Sequence, residues 1–219
     1  MALAIFDLDN TLLGGDSDYL WGMFLVENNL VDGDHYAREN ERFYREYDEG
    51  TLDIFEFLQF SLKPLSENSP ELLQELRERF MQEQIEPIIL QAGRDLIKKH
   101  EKSGDVMLII TATNSFVTSP IAESLGIEHL IATEPEIVDG RYTGKVAGEP
   151  SYREGKVNRL QTWLQQHNQA LEGSSFYSDS HNDIPLLELV DNPVAVDPDR
   201  ALTQHATVKG WPIISLRDS

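Results

Sequence analysis

The sequence predicts an α/β fold: a mostly parallel sheet flanked by helices, with a helical insert after the first strand. Three observations lead there. Short unbroken apolar runs, as expected of strands buried on both faces, alternate with helical stretches along most of the chain. Three of these runs end in the polar clusters DLDNT, TATN and SDSHND. The stretch from about Asp16 to Pro87 carries helix signals and no convincing strand.

Taken in order, Leu3 to Phe6 (LAIF) predicts a buried first strand that runs into DLDNT. Beyond it, Leu20, Phe24 and Glu27 to Leu30 form a mixed apolar stripe, with Asp16 or Ser17 as the helix cap. Ser69-Pro70-Glu71 starts a later helix, with Ser at the cap and Pro in the first turn. After Pro87 the rhythm changes to helix (Ala92 to Lys102), strand (Val106 to Thr111) and helix (Ser115 to Leu125). Asp139-Gly140 is a turn signal inside a hairpin over Glu136 to Lys145. Lys156 to His167 reads as helix, Phe176-Tyr177 as a short strand, Pro185 to Val190 as helix, and Val194 to Val196 and Ile213 to Leu216 as closing strands. Each polar cluster therefore falls at the C-terminal end of a strand, the edge where open parallel sheets bind ligands.

Composition narrows the function. The 219 residues hold 18 Lys and Arg against 38 Asp and Glu, a formal charge of -20. Such a surface repels nucleic acid and anionic membranes, so neither is expected as a partner. It also repels phosphorylated molecules, so a phosphate site needs a strong local positive charge. The chain has no cysteine, which excludes disulfides, thiol catalysis and zinc–thiolate sites. No basic stretch precedes an apolar core at the N-terminus, and no apolar run approaches the ~18 residues of a membrane span. These features predict a cytoplasmic protein without a secretory leader.

Asp7 and Asp9 stand one residue apart just past a strand end and share a side if the chain stays extended. One could serve as nucleophile and the other as general acid and base; turn or helix-cap aspartates account for the pair equally well. Asp179 and Asp183, with Asn182 between them, are hard oxygen ligands of the kind Mg²⁺ takes; a capped helix start at Asn182-Asp183-Ile184-Pro185 is the plainer account. The Thr111 hydroxyl and the N–H groups from Ala112 onward could grip phosphate oxygens, or end a strand with no further role. Lys156, at a helix start, is by itself an ordinary solvated lysine.

In combination these features are specific. Asp7-Leu8-Asp9-Asn10-Thr11, then Thr111, then Lys156, then Asp179-Ser180-His181-Asn182-Asp183 resemble the motif order of the haloacid dehalogenase superfamily of phosphatases, in its phosphoserine-phosphatase-like branch (subfamily IB). The helical stretch falls where that branch carries its cap. The resemblance implies a Rossmann-like core of residues 1–15 and 88–219 and a helical cap of residues 16–87. It implies that Asp7 attacks phosphorus to form an aspartyl-phosphate, and that Asp9 protonates the leaving oxygen and then activates water. It further implies Mg²⁺ held by Asp7, the Asp9 carbonyl and Asp179 with support from Asp183, and a phosphate site made by Thr111, Ala112, Lys156 and Asn182. The presence of Asp9 favours phosphotransfer over carbon–halogen cleavage, because an alkoxide leaving group needs a proton. Nothing marks Lys63, the insert's one lysine, as the activated amine that phosphonate-cleaving relatives need.

The expected partner is a small phosphomonoester, and the protein is expected as a monomer or homodimer. Asp16 stands where phosphoserine phosphatases bind the substrate amino group, and it also suits a helix cap. Ser61 stands where those enzymes carry a carboxylate-binding arginine, and Thr51 to Glu75 contains no Arg. An amino-bearing substrate without a carboxylate is thus expected. DLDNTLLGGDSD, EGTLDI, IITATN, YSDSHNDIPLLE and NPVAVDPD resemble bacterial members of the branch assigned as histidinol phosphatases, which implies histidinol phosphate. Trp21, Phe24, Phe43, Tyr44, Tyr47, Phe55, Phe57 and Phe60 could stack on an imidazole or simply pack the insert, and His181 could touch substrate or be a spectator. A phosphotransferase on the same scaffold and a non-catalytic binding protein are the rival readings.

Overall fold

A computed structural model describes residues 2–217. Its centre is a six-stranded sheet in the order β3-β2-β1-β6-β7-β8. The strands are β1 (Leu3–Phe6), β2 (Val106–Asn114), β3 (His129–Thr133), β6 (Ser175–Ser178), β7 (Asn192–Val196) and β8 (Ile213–Ile214), and every pairing is parallel. Strands β4 (Pro135–Val138) and β5 (Arg141–Val146) form a separate antiparallel hairpin. Its two-residue loop, Asp139 and Gly140, has positive φ at both positions, as the tight hairpin turn requires.

β1 explains why the sheet needs two layers of helices. Leu3 and Ile5 enter one apolar cluster while Ala4 and Phe6 enter the other, the two-residue period of a strand buried on both faces. On the first face pack α8 (Glu154–His167), α9 (Ile184–Leu187) and α10 (Arg200–Lys209), through Leu160, Trp163, Leu186, Leu187, Leu202 and Ala206. On the second pack α6 (Gln91–Ser103) and α7 (Ser115–Leu125), through Ile97, Phe116, Val117 and Ile121.

Between β1 and α6 the chain is helical: α1 (Ser17–Glu27), α2 (Gly33–Asp48), α3 (Ile54–Ser61), α4 (Lys63–Glu67) and α5 (Pro70–Phe80), then a π-helical turn and a 3₁₀ turn to Ile88. Side-chain caps start the longer helices: Asp16 for α1, Asp32 for α2, Asp53 for α3 and Ser69 for α5, the last with Pro70 at its first turn as the sequence predicts. Trp21, Phe24, Phe80 and Phe116 interlock edge-on and stacked, so the first two aromatics serve packing. The excursion leaves and rejoins the sheet at one point, where Leu13 bridges Ile89, Gly14 N–H donates to Ile88 O and Leu90 N–H donates to Leu12 O.

Several elements differ from the sequence reading. β2 continues past Thr111 to Asn114, with irregular pairing to β3 between Ile110 and Asn114, so TATN is the last part of the strand rather than the loop after it. β3 was not expected; its apolar run, Leu130 to Ala132, is short and flanked by polar residues. α10 was not expected either, because its apolar stripe is weak, although Asp199 caps its start and Gly210 ends it. The DxxxD helix is also shorter than expected: a 3₁₀ turn over His181–Asp183 leads into α9, which stops at Leu187.

Gly155 fixes the start of α8. A Cβ built there would lie 2.1 Å from the Pro150 carbonyl oxygen, a rigid backbone atom. Gly155→Ala is expected to cost about 1–3 kcal/mol through overpacking, read as a lowered thermal unfolding midpoint. An unchanged midpoint would mean that the turn before α8 yields freely.

Candidate active site

The strand order brings the polar clusters together. β1 lies between β2 and β6, with Phe6 opposite Ile109 on one side and Tyr177 on the other. The residues leaving β1, β2 and β6 therefore share one edge, at the point where the chain's path through the sheet reverses. That is the topological switch point, the usual crevice in such sheets.

Lys156 is the hub. It is 1% exposed, and its Nζ lies 2.8 Å from Asp7 Oδ1 and 2.8 and 2.9 Å from the two oxygens of Asp183. The Ser178 hydroxyl donates to Asp183 Oδ2 at 2.7 Å. On the other side of Asp7, the Thr11 hydroxyl donates to Asp179 Oδ1 at 3.1 Å and lies 3.4 Å from Asp7 Oδ2, while Asp179 N–H donates back to Thr11 Oγ1 at 3.1 Å. Asp9 is held separately. Its Oδ1 accepts from the Ser17 N–H at 2.6 Å, and its Oδ2 accepts from the Thr113 hydroxyl at 2.8 Å, with Thr111 at 3.4 Å.

The charges do not balance. Burial would lower the Lys156 pKa, but Asp183 and Asp7 together outweigh it and hold the ammonium above its ordinary value. Burial pushes Asp7 up to about 7, with Lys156 opposing and Asp183 and Asp9 adding to the rise. Asp179 is pushed well up by burial and by its neighbours Asp7 and Asp183. One ammonium thus serves the buried Asp7 and Asp183 with the half-buried Asp179 beside them, a set that calls for further positive charge. Among the described residues no group of three or more His, Asp or Glu side chains is arranged to hold a metal. A cation that takes two carboxylates and completes its shell with backbone oxygen and water fits better, and Mg²⁺ is such an ion.

Asp7, Asp9, Thr111 and Ala112 line a cleft of about 570 Å³ that continues between the sheet edge and the helices. Asp16, Asp18, Phe43, Tyr44, Tyr47 and Phe57 also line it, and among the described residues no Lys or Arg does. Asp16 does cap α1, its Oδ1 accepting from Asp18 N–H at 2.9 Å and Tyr19 N–H at 2.8 Å, yet it also faces the cleft. Burial, then the nearby Asp9, pushes Asp16 up to about 7; burial, Asp16 and Asp9 push Asp18 well up.

Other expected residues stand elsewhere. Asn182 is off the cleft wall: its oxygen accepts from Arg153 Nε at 2.9 Å and its nitrogen donates to Tyr47 O at 3.2 Å. Its amide is therefore engaged by protein rather than free for a phosphoryl oxygen. His181 binds Asp199 through both its backbone N–H and Nδ1, each at 2.7 Å. Phe60 stacks on Tyr36, and Phe55 is 62% exposed. Sequence reasoning assigned no role to Thr11, Thr113, Ser178, Asp18 or Arg153. The first three lie inside or beside the motifs, and that adjacency was the available signal.

The family model for haloacid dehalogenase-like hydrolases matches residues 4–188. A histidinol-phosphatase from Neisseria meningitidis serogroup C (strain 8013) is 46% identical over 219 aligned residues, 98% of this chain and 99% of that protein. Phosphoserine phosphatase SerB1 of Mycobacterium tuberculosis (strain ATCC 25618 / H37Rv) is 32% identical over 99% of this chain and 71% of its own length. The crystal structure of a protein with unknown function from Bordetella pertussis Tohama I superposes with a TM-score of 0.92 at 44% identity, covering 98% of each chain.

Asp18 gives a pH signature. Its folded-state pKa is raised, so its ionisation destabilises the fold as pH rises above the unfolded value of about 4. Asp18→Asn keeps an oxygen for the Asn114 amide, which donates to Asp18 Oδ1 at 3.3 Å. The variant is expected to unfold a few degrees higher than wild type at about pH 8, with the gain vanishing at about pH 4. Thermal scans at both pH values check this; a gain that persists in acid would contradict it.

Proposed function

The chain belongs to the haloacid dehalogenase-like hydrolase family, as a phosphoric monoester hydrolase, and on that footing we propose that it dephosphorylates a small amino-bearing metabolite, with histidinol phosphate converted to histidinol as the preferred reaction. One observation carries the reading. A buried Lys156 holds Asp7 beside a cleft that Asp16 and Asp18 also line, and among the described residues no Lys or Arg lines it. Phosphate would sit at the lysine end and an ammonium at the acidic end, with Phe43, Tyr44 and Phe57 beside it.

In the proposed reaction an Asp7 oxygen attacks phosphorus and the ester oxygen leaves, forming an aspartyl-phosphate. Asp9, oriented by Ser17 and Thr113, gives the leaving oxygen its proton and then takes one from the water that cleaves the acyl phosphate. Lys156 and the Thr111 hydroxyl hold the phosphoryl oxygens, with the Ala112 N–H beside them. Mg²⁺ would be held by Asp7, the Asp9 carbonyl and Asp179, with Asp183 behind them. It would supply the positive charge that keeps the buried carboxylates ionised and draws charge from the transferring phosphoryl group. Residues 16–87 act in this scheme as a cap over a core of 1–15 and 88–219, hinged where Leu13 meets Ile89.

Phosphoserine is the alternative substrate, since a 32% identical relative is a phosphoserine phosphatase. The cleft weighs against it, because among the described residues no Lys or Arg lines its wall to meet the substrate carboxylate. No helix of the described residues is long and apolar enough to cross a membrane; a cytoplasmic location and a monomeric or homodimeric state are part of the proposal.

Phosphate release from histidinol phosphate, phosphoserine, phosphoethanolamine, sugar phosphates and p-nitrophenyl phosphate, with and without Mg²⁺, tests the reading. Activity should depend on Mg²⁺ and fall by roughly 10³-fold or more in Asp7→Asn, with histidinol phosphate turned over fastest. Faster turnover of phosphoserine would sink the substrate assignment, and equal activity of wild type and Asp7→Asn would sink the mechanism. An alcohol acceptor that captures the phosphoryl group would reveal a transferase.

A further inference from the structure

α2 ends at a turn that lies against the sheet edge. The carbonyls of its last turn accept from the backbone that follows, Arg45 O from Glu49 N–H, Glu46 O from Thr51 N–H and Tyr47 O from Gly50 N–H, and groups from the core add further bonds to the turn. The Asn182 amide donates to Tyr47 O at 3.2 Å, and the Arg153 guanidinium donates to Gly50 O. A cation at a helix C-terminus is also favoured by the helix dipole. Arg153 Nε donates to Asn182 Oδ1 at 2.9 Å, joined there by the Tyr152 hydroxyl at 3.3 Å, so these side chains form one closed network.

Two features show that the network is built rather than incidental. Arg153 adopts φ 50° and ψ -119°, a conformation that residues other than glycine rarely take, so tertiary contacts hold it there. Gly50 has φ 69°, and a Cβ at that position would lie 2.7 Å from His181 Nε2 and 3.0 Å from Arg153 Nη2. The turn is thus seated against side chains from both core loops. Beside it, Phe43, Leu52 and Tyr152 form a small buried apolar cluster shared by the insert and the segment before α8.

The core side of the network is what matters for chemistry. Arg153 immediately precedes α8, which carries Lys156, and Asn182 lies between Asp179 and Asp183. We propose that Arg153 is a positioning residue: by tying the Tyr47–Gly50 turn to Asn182, it makes seating of the helical insert set the loop of Asp179 and Asp183 and the start of α8. Arg153 touches no reacting atom in this scheme. The insert and the catalytic groups are then registered together, and lifting the insert releases both loops at once. This rests on the active-site reading above.

The test compares Arg153→Ala and Arg153→Lys with wild type in full-length protein, by p-nitrophenyl phosphate kinetics, thermal unfolding and hydrogen exchange. For Arg153→Ala, kcat should fall roughly tenfold with KM moving less than about threefold. Exchange should quicken together in residues 46–52 and 179–184, while the unfolding midpoint stays within a few degrees. Arg153→Lys, which can donate to one acceptor but lacks the fork, should recover part of both effects. Faster exchange in 46–52 alone with kcat retained would overturn the proposal, as would kcat losses that simply track the unfolding midpoint in both variants. The exchange arm needs no turnover. If wild type were inert on the ester, failure of the phosphatase reading would remain distinct from failure of the coupling.

Discussion

Burying an ammonium or a carboxylate carries a desolvation cost of several kcal/mol per ion, offset only by close partners with good geometry. Lys156 meets that condition by lying between Asp7 and Asp183, and the rest of the site is arranged around this contact. The three residues come from the end of β1, the start of α8 and the loop after β6, so the interaction exists only when the parallel sheet is assembled in its native order. Removing Lys156 would strand two carboxylates in the interior. The site is thus both a product of the fold and a constraint upon it, and in the proposed reading a bound cation offsets its surplus of negative charge.

A second linkage ties the insert to the chemistry. Asp16 caps α1, the helix that begins the insert, while the next backbone N–H, that of Ser17, binds Asp9. The orientation of Asp9 therefore depends on where α1 starts. At the opposite side of the cleft, the end of α2 rests on Asn182 and Arg153. The helical insert is held at its start and at the end of α2 by groups adjacent to the proposed nucleophile, acid and metal ligands. Its acidic and aromatic residues complete the cleft that Asp7 and Asp9 line.

The sheet and the insert were legible in the sequence because their signals are local. Unbroken apolar runs such as LAIF, caps such as Ser69-Pro70 and the Asp139-Gly140 turn follow from burial and backbone preference over a few residues. β3 and α10 escaped because their apolar content is small and their stability comes from packing against β2 and β7. The end of β2 was misjudged for a related reason: a polar TATN segment looks like a loop, but strand pairing and the bonds of Thr113 and Asn114 keep it extended.

The residue types for phosphoryl chemistry, their order along the chain and the excess of acid were determined by the sequence itself. So was the lack of an arginine where a substrate carboxylate would need one. Which side chains meet was decided only by the tertiary structure. Asp18 joined Asp16 on the cleft wall, Thr113 rather than Thr111 took the short bond to Asp9, and Asn182 turned away toward Arg153. The reason is physical. Spacing in sequence sets which residues leave the same strand end, but hydrogen bonds across 29 or 104 positions depend on strand order and helix packing, which no local pattern encodes.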